Sequence, residues 1–282
     1  MKKIFLLLGM LLIANSSAMA NCEYKCVAPY NMNNKFRTFV GAVSGVNFSA
    51  EKVGQKIIKK AFTKTASNDN LKVKLDSYSA KDLKNGIFKS LSIKGENVNI
   101  NDIYLSYLEL NTLCKFNYIK QVNNEIVFME DFPMSFNIDL TATDINKTMQ
   151  SKNYKRIISD LNKLGNSFGG GLQIASTKVA IRSSKFYYII GISIPFIKSE
   201  QKIVINSDLV VKNGKIDFAN TKLVSDAFSL DLKKIDFILN YLNPLDFSVN
   251  ILDNKEAQVS VDSVSIQGNV IKTKGIVVIP KD

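Results

Sequence analysis

The chain has 282 residues, no histidine, and 37 lysines and arginines against 25 aspartates and glutamates, a net charge of +12. The lack of histidine excludes Ser-His-Asp and Cys-His catalytic arrangements and the usual general base near neutral pH. Nucleophile-elbow, P-loop and dinucleotide-binding motifs are missing as well, so the sequence predicts a protein that is not an enzyme and needs no cofactor.

Residues 1–20 predict a secretory signal peptide. Two lysines precede the apolar run Ile4–Ala14, and small residues with an A-x-A pattern place the cleavage site near Ala20-Asn21. We expect the mature protein to be exported, to the periplasm or cell envelope. It would comprise a lead-in over residues 21–48 and one domain over residues 49–282, because no linker or shift in composition divides the rest of the chain.

The positive charge persists after cleavage of the signal. Removing its two lysines leaves 35 basic against 25 acidic residues, a net charge of +10. Outside the cytoplasm the commoner polyanion is the headgroup layer of an anionic membrane, so a membrane surface is expected as a partner and nucleic acid is not. The lysines are scattered along the chain, however, and an ordinary lysine-rich surface explains the charge equally well.

Three cysteines occur, and their pairing stays open. Cys22 with Cys26 would close a short loop, whereas Cys26 with Cys114 would tie the lead-in to the predicted sheet. A lipid anchor on Cys22 is the minority interpretation, because Asn21 stands where lipoprotein processing requires a small residue. The cysteines lack paired metal-ligand spacing, so no zinc site is predicted.

The first predicted element of the mature chain is a basic amphipathic helix from Ser49 to about Thr65. Its apolar residues recur at helical spacing and lysines fill much of the rest. The stripe consists of Val53, Ile57, Ile58, Ala61 and Phe62. The helix either packs its stripe on a sheet with its lysines in solvent or also contacts lipid, and the first alternative is the more common one.

Short strand-like runs separated by turn residues follow the helix and predict an antiparallel meander. The triplet Asn68-Asp69-Asn70 is expected to separate the helix from the first of them. The predicted strands are Leu71–Leu75, Ile87–Ile93, Val98–Tyr107, Leu113–Ile119, Leu172–Arg182, Lys185–Ile197, Lys202–Lys212, Lys215–Leu223, Ala257–Gln267 and Val270–Ile279. Asn213-Gly214 predicts a hairpin turn. A last helix is predicted over Asp231–Leu242, ended by Pro244.

The segment from Phe132 to Leu164 combines a strand with a helix. In Phe132–Leu140 every even position is large and apolar, a pattern typical of a strand with one buried face. Thr141 to Asp144 then supplies oxygens that can cap a helix start, and apolar residues from Ile145 onward continue at helical spacing. We therefore predict a sheet that packs against an amphipathic helix.

The run from Phe186 to Phe196 is the most apolar part of the mature chain, and its even positions are apolar without exception. A central strand of an ordinary core has this pattern, and that interpretation is favoured. The functional alternative is a strand whose inner face lines a cavity for lipid.

The order of these elements from about Ser49 to Ile279 resembles the LmeA-like phospholipid-binding family. The matching pieces are the basic helix, Leu71-Lys72-Val73-Lys74-Leu75, Leu83-Lys84-Asn85-Gly86, Leu91-Ser92-Ile93, Leu140-Thr141-Ala142-Thr143-Asp144-Ile145-Asn146, Leu242-Asn243-Pro244-Leu245 and Val264-Ser265-Ile266-Gln267-Gly268. The resemblance implies an α+β fold in which a highly curved antiparallel β-sheet wraps around long amphipathic helices, as in half of a tubular lipid-binding module.

Candidate lipid-binding residues follow from the apolar strand faces and the basic helix. Side chains expected to line an apolar groove are Val53, Ile57, Phe62, Phe136, Ile138, Phe186, Tyr188, Ile190 and Ile192. Side chains expected to hold the phosphate are Lys56, Lys59, Lys60 and Arg182. Acyl chains that enter such a groove gain roughly 0.8 kcal/mol per buried methylene.

The function predicted from the sequence is therefore phospholipid binding by an exported protein, with acyl chains held in an apolar groove, for lipid transport or envelope maintenance. An alternative is a non-catalytic envelope scaffold that binds a protein partner through the groove or through a sheet edge. An enzyme that acts on lipid or glycan with carboxylate or lysine groups is a weaker alternative. The lipid and the oligomeric state stay open.

Overall fold

The computed structural model describes Cys26 and residues 46–122, 125–167, 173–224, 241–246 and 257–282. The predicted signal peptide and most of the predicted helix Asp231–Leu242 lie outside the described residues. The helices are α1 (Val46–Thr65), α2 (Ala80–Lys84), α3 (Ala142–Thr148) and α4 (Lys152–Ser167). The strands are β1 (Ala66–Asp76), β2 (Ile87–Phe88), β3 (Ser90–Ile100), β4 (Ile103–Thr112), β5 (Asn117–Val122), β6 (Glu125–Phe128), β7 (Phe132–Thr141), β8 (Gln173–Arg182), β9 (Lys185–Ser193), β10 (Gln201–Lys212), β11 (Lys215–Leu223), β12 (Gln258–Gln267) and β13 (Val270–Ile279).

Six strands form the largest sheet, in the order β1-β3-β4-β7-β13-β12, and each neighbouring pair is antiparallel. Strand β7 pairs with β13 along its whole length, from Phe132 opposite Ile279 to Thr141 opposite Val270. It pairs with β4 on its other side. The strand predicted from the alternating pattern of Phe132–Leu140 is therefore confirmed, and it lies inside the sheet.

Four further strands form a second antiparallel sheet in the order β11-β10-β9-β8, and β2, β5 and β6 form a small third sheet. The turn between β10 and β11 consists of Asn213 and Gly214, with φ of 52° and 72°. Both residues tolerate positive φ, as a two-residue hairpin turn requires. The predicted hairpin at this position is confirmed.

One apolar core joins the two larger sheets. Phe136 and Ile271 from the six-stranded sheet and Tyr188 and Ile205 from the four-stranded sheet belong to the same cluster of buried side chains. The apolar side chains that alternate along the strands of each sheet thus pack against those of the other sheet. A second cluster, which contains Leu75, packs against α1.

The predicted fold class is wrong. The structure is mostly antiparallel β-sheet with short helices, and it is not a highly curved sheet wrapped around long amphipathic helices. Both α1 and α4 keep one face in solvent, with Lys56 and Lys155 among the exposed residues, so the sheets do not enclose either helix. The physical reason is that the two sheets bury each other's apolar faces, whereas the prediction assigned that task to helices.

Several element boundaries also differ from the prediction. The strand predicted over Val98–Tyr107 is two strands, because Asn101 and Asp102 adopt positive φ and reverse the chain. The triplet Asn68-Asp69-Asn70 lies within β1, where shifts in the pairing register with β3 accommodate it. The helical part after β7 is two helices, and Ser151 begins the second by accepting a hydrogen bond from the Tyr154 N–H at 3.2 Å.

A disulfide links Cys26 to Cys114, 88 residues apart in the chain. Of the two pairings that the sequence leaves open, this is the one that ties the lead-in to the sheet region. Cys114 is buried in the connection between β4 and β5.

Candidate functional site

Helix α1 is fixed on the sheet by contacts that define its inner face. Glu51 accepts hydrogen bonds from the backbone N–H and the hydroxyl of Ser77, both at 2.8 Å. A Cβ atom at Gly54 would lie 2.6 Å from Leu75 Cδ2, so a larger residue here would require the Leu75 side chain to move. Phe62 packs against both core clusters. The rotation of the helix about its axis is therefore set by buried contacts at several points along it.

The outer face of α1 carries two apolar side chains among lysines. Val53 and Ile57 are 58% and 60% exposed, and they lie one helical turn apart. Exposed lysines follow the same side and its borders: Lys52, Lys56, Lys59, Lys60 and Lys64. Glu51 is the one acid in the helix, and its carboxylate is turned inward onto Ser77. The outer face thus combines positive charge with exposed aliphatic surface. We call it the basic face of α1.

The strand residues predicted to line a groove lie together in the core. Phe136, Phe186, Tyr188 and Ile190 are buried, and the Phe186 ring packs on Phe218 with centroids 5.4 Å apart. Three further predicted residues are partly buried and pack against the same cluster: Phe62, Ile138 and Ile192. The favoured interpretation of the Phe186 run as a central strand of a core matches these positions. A lipid-binding role for these side chains stays a prediction.

The predicted headgroup residues occupy two places. Lys56, Lys59 and Lys60 are exposed on the basic face of α1, whereas Arg182 is exposed at the end of β8, in the four-stranded sheet. Val53 and Ile57, predicted to line the groove, lie beside the three lysines instead of beside the strand residues. The structure therefore brings five of the predicted site residues together on one helix face and separates them from the rest.

A buried pair of phenols sits where the core meets the segment 241–246. The Tyr154 hydroxyl lies 2.7 Å from both the Tyr188 hydroxyl and the carbonyl oxygen of Leu242, and the Tyr188 hydroxyl lies 3.2 Å from the same carbonyl, so the two phenol protons are shared among these three oxygens. Burial raises the pKa of Tyr154 and that of Tyr188 well above their usual range. Neutral, hydrogen-bonded phenols of this kind hold chain segments together and are not poised for acid–base chemistry.

The most buried carboxylates also have structural partners. Asp144 accepts from the backbone N–H and hydroxyl of Thr141 at 2.8 and 2.7 Å, completing a capping box for α3, and it also accepts from the Ser106 hydroxyl. Asp82 accepts from Ser79 at 2.6 Å at the start of α2. Across the described part of the chain, no cluster of three or more His, Cys, Asp or Glu residues could hold a metal ion.

A turn that the sequence analysis missed lies between β9 and β10. The predicted strand Lys185–Ile197 ends at Ser193, and Ile194–Ile197 form a tight turn closed by a hydrogen bond of 3.1 Å from the Ile197 N–H to the Ile194 carbonyl. Phe196 in this turn is fully exposed. Pro195 was the signal that could have found it, because proline cannot donate to a sheet ladder and marks the end of a central strand.

No family model, curated protein or solved structure matches the chain. The resemblance to the LmeA-like family stays a prediction. None of the helices in the described ranges is long and apolar enough to cross a membrane.

Proposed function

We propose that the protein is an exported, non-catalytic protein that binds anionic phospholipid at a membrane surface through the basic face of α1. The observation that carries the proposal is the exposure of Val53 and Ile57 among lysines on a helix whose one acid is turned inward. Packing of α1 on the sheet leaves Val53 and Ile57 mostly in solvent, so their apolar surface stays available to a second apolar phase. At an anionic bilayer both components of this face are favourable.

The magnitudes indicate which component dominates. Full burial of a valine or isoleucine contributes about 1.5–3 kcal/mol, and these side chains are already close to half buried, so together they contribute roughly 2–3 kcal/mol. Each lysine close to an anionic leaflet contributes about 1 kcal/mol. The lysines of α1 therefore supply the larger share, and binding should depend strongly on salt and on anionic lipid.

The proposal retains phospholipid as the ligand and does not require an internal groove for acyl chains. Phe136, Phe186 and Tyr188 are packed against other side chains in the core, so the accessible apolar surface near the lysines is that of Val53 and Ile57. The resemblance of short motifs to a phospholipid-binding family points to the same class of ligand. A role in envelope maintenance is compatible with surface binding alone.

The alternative function is a scaffold that binds a partner strand along a sheet edge. Strand β8 forms one edge of the four-stranded sheet, and its backbone groups are partly occupied. Asn146 of α3 bonds both the N–H and the carbonyl of Val179, at 2.7 and 2.8 Å. Asn162 of α4 bonds both groups of Ile174 in the same way, at 2.8 and 3.0 Å. Backbone groups that strand addition would use are thus already paired at two places along this edge.

Co-sedimentation with vesicles tests the proposal. The purified protein should bind vesicles of phosphatidylglycerol and phosphatidylcholine, bind vesicles of phosphatidylcholine alone at least tenfold more weakly, and be released by 1 M salt. The variant Lys56→Glu/Lys60→Glu should lose at least tenfold in affinity. Lys72→Glu/Lys274→Glu is the matched control, because it makes the same change in net charge at exposed strand positions outside α1. Equal losses in the two variants would contradict a dedicated basic face.

A further inference from the structure

The turn at Ile194–Ile197 has an unusual residue at its third position. Its hydrogen bond, Pro195 at the second position and a φ of 73° at Phe196 are the features of a type II turn. That turn places its third residue in the left-handed region, where glycine or asparagine is strongly preferred. A phenylalanine there is strained, because its Cβ approaches the following carbonyl oxygen.

No contact among the described residues compensates this strain. Phe196 is fully exposed, so its ring gains no burial against the described residues. Elsewhere in the described ranges the residues with positive φ are Asn70, Asn97, Asn101, Asp102, Ser183, Ser184, Asn213, Asn220, Gly86, Gly214 and Gly268. All of these are small or polar, as turn chemistry predicts. Phe196 departs from that pattern, and a strained, exposed aromatic residue is typical of a functional contact.

The charges around the turn favour an anionic surface. Lys198 and Lys202 are exposed close to the turn in the chain. Glu200, the one acid between β9 and β10, is folded back: its carboxylate accepts from the Ser176 hydroxyl at 2.6 Å and lies over Gly191, where any Cβ would collide with it. Within the segment between β9 and β10, the turn therefore presents apolar side chains and the cation of Lys198, and the one carboxylate is bonded to Ser176.

We propose that Pro195, Phe196 and Ile197 insert into the interfacial layer of an anionic phospholipid bilayer and form a second membrane contact in addition to the basic face of α1. The inference rests on the proposed function for its ligand. A protein partner is disfavoured because a stable interface needs about 800 Å² on each side, far more than one turn provides. A single aromatic residue flanked by lysines is sufficient for a bilayer interface, where aromatic rings concentrate.

Single tryptophan reporters test the inference, since the chain contains no tryptophan. In Phe196→Trp, anionic vesicles should shift the emission to the blue, and lipids brominated along their acyl chains should quench it. Val210→Trp is the matched control, because Val210 is a partly exposed position within β10, and its emission should not change. Ile57→Trp reports separately on the basic face of α1.

The outcomes separate the two proposals. If anionic vesicles shift the tryptophan emission of Ile57→Trp to the blue but leave that of Phe196→Trp unchanged, insertion of the turn is overturned and the proposed function stands. If only the emission of Phe196→Trp shifts, insertion of the turn is supported and binding through the basic face of α1 is overturned. If neither emission shifts, both proposals are overturned. As a second measurement, Phe196→Ser should bind anionic vesicles about tenfold more weakly with unchanged circular dichroism, and unchanged affinity would also overturn the inference.

Discussion

Replacing Phe196 by glycine should make the protein more stable. A residue with a Cβ atom in the left-handed region costs roughly 1–2 kcal/mol relative to glycine, and Phe196 adopts φ of 73°. The extra entropy that glycine has in the unfolded chain offsets about 0.5–1 kcal/mol of this gain. Because the phenyl ring is fully exposed, its removal loses little burial. The net expectation is an increase of about 0.5–1 kcal/mol in the free energy of unfolding.

Urea unfolding of Phe196→Gly and Phe196→Ala measures this effect directly. The alanine variant keeps the Cβ atom and the strain, so its midpoint should stay close to that of the unmodified protein, whereas the glycine variant should unfold at higher urea with the same slope. The comparison isolates backbone strain from loss of the ring. If the two variants unfold together, Phe196 is not strained, and the argument that its conformation is retained for binding fails.

Three further predictions concern the fold. Reduction of the Cys26–Cys114 disulfide, which closes a loop of 88 residues, should lower the free energy of unfolding by about 2–5 kcal/mol, and reductant should have no effect on Cys26→Ala/Cys114→Ala. Asp144→Ala should cost about 2–3 kcal/mol in urea unfolding, because it removes the capping box and the bond from Ser106; a loss below about 0.5 kcal/mol would refute that role. Lys94 Nζ lies 2.8 Å from Glu109 Oε1, and this hydrogen bond is the largest cause that lowers the pKa of Glu109 to about 2. The ionised Glu109 therefore stabilises the fold above pH about 4.5, and this stabilisation is lost as pH falls toward 2. Glu109→Gln should flatten the pH dependence of stability in that window, and an unchanged slope would contradict the assignment.

Local chemistry predicted much of the fold. The alternation in Phe132–Leu140 identified β7, and Asn213-Gly214 located a hairpin, because both signals act within a few residues. The hairpin at Asn101-Asp102 was missed, since it contains no glycine and the strand pattern continues on both sides. In a chain rich in asparagine, this residue takes the left-handed positions that glycine takes elsewhere.

What covers each apolar face could not be predicted. Alternation shows that Phe136 and Phe186 share the buried side of their strands with other apolar residues, but a second sheet, a helix or a lipid can all cover such a face. On α1 the predicted stripe was too broad. Val53 and Phe62 are nine residues apart, which places them on opposite sides of a helix, and in the structure Phe62 packs partly buried against the core whereas Val53 is exposed.

The two proposed contacts would act through different forces. The lysines of α1 attract an anionic surface at distances comparable to the Debye length, and this attraction weakens as salt rises. Insertion of Phe196 depends on burial of its ring, which salt does not weaken. Substitution at Phe196 should therefore lower the affinity for anionic vesicles by a similar factor at every salt concentration. Lys56→Glu/Lys60→Glu should instead make that affinity less dependent on salt concentration.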